Sequence, residues 1–158
     1  MNEKELSKNI RDYLNKTQIG MHFQFIDSFC DIADEKNRIY IEVKPDHFAP
    51  AQILHAIAKE GIKNAKYLGV ANRSEVRLFT PPPYEKILAF AKGFDPKLVF
   101  TASQVDKPEL NFQAEKLLGN PQRVIPLNFS TSKYLFINRE NMSAVREVTD
   151  KYRIAWTS

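Results

Sequence analysis

Asp31-Ile32-Ala33-Asp34-Glu35-Lys36-Asn37-Arg38-Ile39-Tyr40-Ile41-Glu42-Val43-Lys44 decides how this chain is read. Ile39, Ile41 and Val43 alternate with Tyr40, Glu42 and Lys44, the period of two that marks a strand with two distinct faces. A polar turn over Glu35 to Arg38 joins it to a shorter apolar run before it. Pairing the two runs antiparallel around that turn sets Ile32 against Ile41 and Asp31 against Glu42. Residues opposite each other point to the same face, with Cβ atoms roughly 4.5–5.5 Å apart. Two carboxylates so placed repel, and a divalent cation between them reverses the sign of that interaction. A register shifted by one residue would turn Asp31 away from Glu42. Asp27 and Asp34 are the rival acids, one in the preceding turn and one at the hairpin end.

Working outward, residues 3–15 predict a helix, with Leu6, Ile10, Tyr13 and Leu14 on one stripe. Met21 to Ile26 alternates as a strand and Phe29 to Ala33 as the next, so Arg38 to Lys44 completes a three-stranded meander. Pro45 stops it, because proline has no N–H for the ladder. Pro50 opens a helix expected to run to residue 65, with Ile53, Leu54, Ile57, Ala58 and Ile62 inward. Tyr67 to Ala71 and Glu75 to Phe79 are strands, and Tyr84 to Lys92 is a helix closed by Gly93. A strand, a helix and a strand in succession imply a parallel crossover. The class is α/β, a sandwich around a mixed central sheet, in the order helix, three-strand meander, helix, strand, strand, helix.

That core occupies residues 1–93. Residues 94–158 read as an extension or the start of a linker to a downstream domain. Within them Leu98 to Ala102, Val124 to Phe129 and Tyr134 to Ile137 are strand-like. A short helix carries Leu110, Ala114, Leu117 and Leu118, and Asn138 caps a last helix with Met142, Val145 and Tyr152.

The chain has 158 residues, 43% of them hydrophobic and 27% charged, which is the composition of an ordinary globular domain. Its net charge of +4 permits a nucleic-acid partner without demanding one. The single cysteine, Cys30, excludes an internal disulfide and suits a reducing cytoplasm. No run approaches the roughly 18 apolar residues that cross a bilayer, so no membrane partner is expected. No Gly-rich phosphate loop, Cys/His cluster or Gly-x-Ser-x-Gly stretch points to ATP, zinc or a serine nucleophile.

Asp31, then ten residues, then Glu42-Val43-Lys44, followed by a helix and a further strand, resembles the signature of the PD-(D/E)xK nuclease superfamily, the restriction-endonuclease-like fold. The resemblance covers residues 1–93. It departs at Cys30, where the signature carries proline. It implies a Mg²⁺-dependent DNA endonuclease, with Mn²⁺ as a substitute, from a restriction or restriction-modification protein. Asp31 and Glu42 would hold the metal together with the Val43 carbonyl, and Lys44 would orient water or neutralise the phosphate. The first-helix acid found beside the metal in several branches falls here on Glu5. Gln52 resembles a glutamine of RecB-like nucleases and type I restriction subunits, although Ala56 stands where an aromatic is usual.

Gln52, His55, Lys59 and Lys63 share a helix face suited to backbone phosphates. DNA is the expected partner. Methyltransferase or recognition domains are expected downstream in the same polypeptide. Cutting both strands with one site per chain requires a homodimer. Two other readings of the same residues are a domain that binds nucleic acid or protein without catalysis, and a repair or resolvase nuclease acting on branched DNA.

Overall fold

The computed structural model describes residues 2–26 and 29–129. The expected strand at residues 134–137 and the helix after Asn138 lie outside them. The first compact unit ends at Leu127. The expected core boundary at residue 93 is therefore not where this unit stops, because the segment beyond it contributes helices and a sixth strand to the same unit.

Helix α1, Glu3–Thr17, begins with the Asn2 side chain accepting the Glu5 N–H. Its buried stripe is Leu6, Ser7, Ile10 and Leu14. Strands β1 (Gln24–Phe25), β2 (Ile32–Asp34) and β3 (Ile39–Val43) form the meander. β1 is shorter than the alternation of Met21 to Ile26 predicts, for a definite reason. The His22 N–H donates to Asp34 and the Phe23 N–H to the Asn15 side chain, so those groups are withdrawn from a ladder. β2 likewise starts at Ile32, Phe29 and Cys30 forming a bend.

Helix α2, Pro50–Glu60, carries the chain across to β4 (Tyr67–Ala71), which pairs parallel with β3. β5 (Glu75–Phe79) follows antiparallel, and β6 (Arg123–Pro126) pairs antiparallel with β5. The strand order is β1-β2-β3-β4-β5-β6. Helices α3 (Tyr84–Phe94), α4 (Ala102–Val105) and α5 (Pro108–Leu118) lie between β5 and β6. The chain is thus an α/β protein with a mixed sheet.

The two faces of the sheet are covered differently. Tyr40, Leu68, Val70 and Phe79 join Ile53, Leu54, Ile57, Ile87, Ala91, Ala114 and Leu118 in one core, so α2, α3 and α5 cover that side. Strand alternation turns Ile39, Ile41 and Val43 to the other side, where α1 packs. Ile53, Leu54 and Ile57 are fully buried, worth ~1.5–3 kcal/mol each, which fixes α2 firmly against the sheet. A Cβ on Gly69 would stand 2.7 Å from Ile41 Cγ1 and 2.9 Å from Leu78 Cδ2, so those side chains close over a position that only glycine allows.

Two helix ends and one strand differ from expectation. α2 stops at Glu60 because Gly61, at φ 70°, turns its N–H back to Ala58 and Ile57. α3 runs through Gly93 to Phe94, whose ring packs on Phe90, and Asp95 ends it. Leu98 to Thr101 is irregular chain leading into α4, since the Asp95 carboxylate accepts the Phe100 N–H that a strand would use. No helix among the described residues is long and apolar enough to cross a membrane.

Candidate metal centre

The hairpin places the first two acids. Ile32 pairs with Ile41, as the turn length predicts, and Asp31 lies just past that rung. There the side chain takes over from the ladder. The Asp31 N–H donates to the Ile41 carbonyl at 3.2 Å, and Asp31 Oδ2 accepts the Val43 N–H at 2.7 Å. Asp31 and Glu42 thereby come together, with Glu3 from the first turn of α1 as the third member. Oxygens of all three lie within 4.8 Å of one another. Lys44 is beside them, its Nζ 3.5 Å from Glu3.

Such a group is costly to assemble without a cation. With both carboxylates ionised, two unit charges separated by 4.8 Å would repel by ~3.5 kcal/mol at an effective dielectric of about 20. Cross-strand pairs ordinarily contribute only about 0.2–1 kcal/mol, so sheet stability does not account for this placement. Glu42 is buried, and that burial, followed by the charge and hydrogen bond of Asp31, pushes its pKa well above the ordinary glutamate value. Lys44 pulls the other way without offsetting it.

Hydrogen bonding shows the same shortfall. Gln52 Nε2 donates to Glu42 Oε2 at 2.7 Å and fixes the carboxylate from the α2 side. Among the described residues, the buried side-chain oxygens without a partner are Glu42 Oε1, Gln52 Oε1 and Ser7 Oγ. Unsatisfied buried polar atoms are rare and call for an explanation. Glu42 and Gln52 are bonded to each other, and Ser7 lines the same open cleft, of about 630 Å³, as Glu3 and Asp31. Carboxylate oxygens are hard donors that suit Mg²⁺ or Mn²⁺, and Glu42 Oε1 is available to such an ion.

The remaining expected site residues fall differently. Val43 meets the centre through its N–H, donated to Asp31. Glu5 is exposed and engaged with Asn2, so the first-helix acid is Glu3 and not Glu5. Glu3 lies three residues before Leu6 and seven before Ile10, on the buried stripe, a spacing visible in the sequence. The phosphate-facing stripe does not form as a helix face. Gln52 is buried against Glu42, and His55 is buried with Nε2 2.7 Å from Asp95 Oδ2. Lys59 is exposed, while Lys63 follows the Gly61 stop and places its ammonium over the Tyr84 ring.

Asp34, the rival acid, is a structural residue. Its carboxylate accepts the backbone N–H of His22 and of Asn37 and the Asn37 side-chain amide. Burial acts to raise its pKa, but these hydrogen bonds hold it below the ordinary aspartate value. Asp27 lies outside the described residues.

No family model, curated protein or solved structure matches this chain. The functional reading therefore stands on the site itself.

Proposed function

We propose that the chain is a Mg²⁺-dependent endonuclease domain that hydrolyses DNA phosphodiester bonds, built on the restriction-endonuclease-like plan and acting as a homodimer when both strands are cut. The observation that carries this reading is the three-carboxylate cluster of Glu3, Asp31 and Glu42 with Lys44 at its edge and Glu42 Oε1 lacking a partner. The order of elements around it, with Asp31 before β2, Glu42 in β3 and the α2 crossover to a parallel β4, supports the same plan.

The residues divide the work. Asp31, Glu42 and Glu3 would hold the ion, which supplies charge neutralisation at the phosphate and lowers the pKa of water. Gln52 fixes Glu42 through Oε2 and leaves Oε1 without a partner. The Val43 N–H fixes Asp31. Lys44 is a compact point charge suited to positioning the attacking water or balancing charge on the phosphate oxygens as the bond breaks.

Incubation of the chain with supercoiled plasmid and Mg²⁺ is expected to give nicked and linear products, and chelator is expected to stop it. Asp31→Ala and Lys44→Ala are each expected to lower the rate on the order of 10²- to 10³-fold with an unchanged circular dichroism spectrum. Full activity of either variant, or activity in chelator, overturns the proposal. Salt-sensitive DNA binding without cleavage under any metal would instead identify a binding domain.

A further inference from the structure

Gln52 also lines a second cavity, of about 130 Å³, whose lining does not include Glu42. Phe29 and Phe100 are among its walls, with Gln52 and His55 from α2, and the exposed Lys59 and Glu60 stand at the same opening. Whole small-molecule sites are usually about 300–1,000 Å³. A volume this small takes one planar ring and not a complete ligand.

Its construction is specific. Phe100 belongs to the loop between α3 and α4, and that loop is fastened from within the protein. Asp95 Oδ2 accepts the Phe100 N–H at 2.9 Å and meets His55 Nε2 at 2.7 Å, both side chains of that pair being buried. Burial acts to raise the Asp95 pKa, but the Phe100 N–H and His55 hold it below the ordinary aspartate value. The His55 ring and the Phe100 N–H thus converge on one carboxylate oxygen. The loop also holds Leu98 at φ 54°, a left-handed conformation that leucine rarely adopts. The result leaves Val99 64% and Phe100 37% exposed. Apolar side chains held outward by a buried hydrogen-bond network are not explained by packing.

The polar group in the wall is equally particular. Because the carboxylate of Glu42 takes Gln52 Nε2, the oxygen of that amide is the end left over, and Oε1 has no hydrogen-bond partner. It is an acceptor that needs an N–H.

We infer that this cavity is a nucleobase subsite: it receives one unstacked base of an unpaired nucleotide against Phe29 and Phe100, with an N–H of the base directed to Gln52 Oε1 and Lys59 on the adjoining phosphate. Aromatic rings recognise any base through its π-face, and a lysine at the rim adds a phosphate contact. One amide separates this subsite from the carboxylate cluster. Resting on the nuclease reading above, the inference names the substrate as DNA with an unpaired nucleotide next to the scissile phosphate: a bubble, overhang or junction in preference to uninterrupted duplex.

The test separates binding from cleavage. Oligonucleotides carrying 2-aminopurine, either unpaired in a bubble or paired in duplex, are titrated with the full chain in Ca²⁺ and then assayed for cleavage in Mg²⁺. The unpaired probe is expected to be quenched by stacking and to bind about tenfold more tightly than the paired one. Phe100→Ala should remove both the quenching and the preference, and Phe100→Trp should restore them. Lys59→Ala should weaken binding and lower its salt dependence while quenching at saturation persists. Quenching of the unpaired probe without cleavage of any substrate upholds the subsite and sinks the nuclease reading. Cleavage of both forms at equal rates without quenching sinks the subsite and leaves the nuclease reading in place. Equal affinity for both probes, or an unaltered Phe100→Ala, overturns the inference.

Discussion

Two aspartates three residues apart, Asp31 and Asp34, mark the two ends of one hairpin and meet opposite environments. At the turn end, Asp34 is completely buried and its carboxylate accepts three N–H donors. At the other end, Asp31 faces Glu42 and Glu3, and Glu42 keeps an oxygen with no partner. The first carboxylate has a lowered pKa and the neighbour of the second a raised one. The same residue type thus stabilises the fold in one place and, in the other, joins a group of like charges. A polar group short of partners inside an otherwise satisfied structure is where a ligand is to be sought.

The contrast can be broken most directly by removing each acid. Asp34→Ala leaves three donors in the turn without an acceptor. At about 1–3 kcal/mol for an orphaned buried group, the variant is expected to lose on the order of 4 kcal/mol in denaturant unfolding. Glu42→Gln is expected to have the opposite sign in metal-free protein, a gain on the order of 2 kcal/mol from lost repulsion, and to abolish stabilisation by Mg²⁺. A destabilised metal-free Glu42→Gln would show that the cluster is a structural network after all.

pH sharpens the same point. Asp34 has a folded pKa below its unfolded value, so its contribution is present above the ordinary aspartate range and is lost as pH falls through the folded pKa. Glu42 has a folded pKa above its unfolded value, so metal-free stability is highest below the ordinary glutamate range and declines as pH rises through the folded pKa. Thermal unfolding in chelator should show both losses. Mg²⁺ should remove only the alkaline one, as should Glu42→Gln. A smaller effect belongs to the turn itself. Arg38 sits at φ 59°, and Arg38→Gly is expected to stabilise by under ~1 kcal/mol, since relief of the left-handed strain is partly offset by glycine's entropy.

Much of this site was legible in the sequence because hairpin register follows from turn length and strand alternation, both local. Asp31, Glu42 and Lys44 meet as those rules require. Glu3 was equally accessible through its spacing of three and seven from Leu6 and Ile10, a spacing that Glu5 lacks. α2 was misread for a non-local reason. Residues 84–118 fold over it, so Gln52 and His55, polar by type, are buried. Periodicity within a helix cannot reveal what a later segment covers. Lys63 was lost to Gly61, a local stop signal that the apolar pattern beyond it concealed.

The knot at Asp34 has a consequence for how this protein would behave in a mutational screen. It holds β2 and β3 in the register that brings Asp31 to Glu42, although its own side chain is fully buried. A survey scored on activity alone would rank Asp34 among the catalytic acids, and only a comparison at low temperature, where a weakened hairpin still closes, would return it to the scaffold.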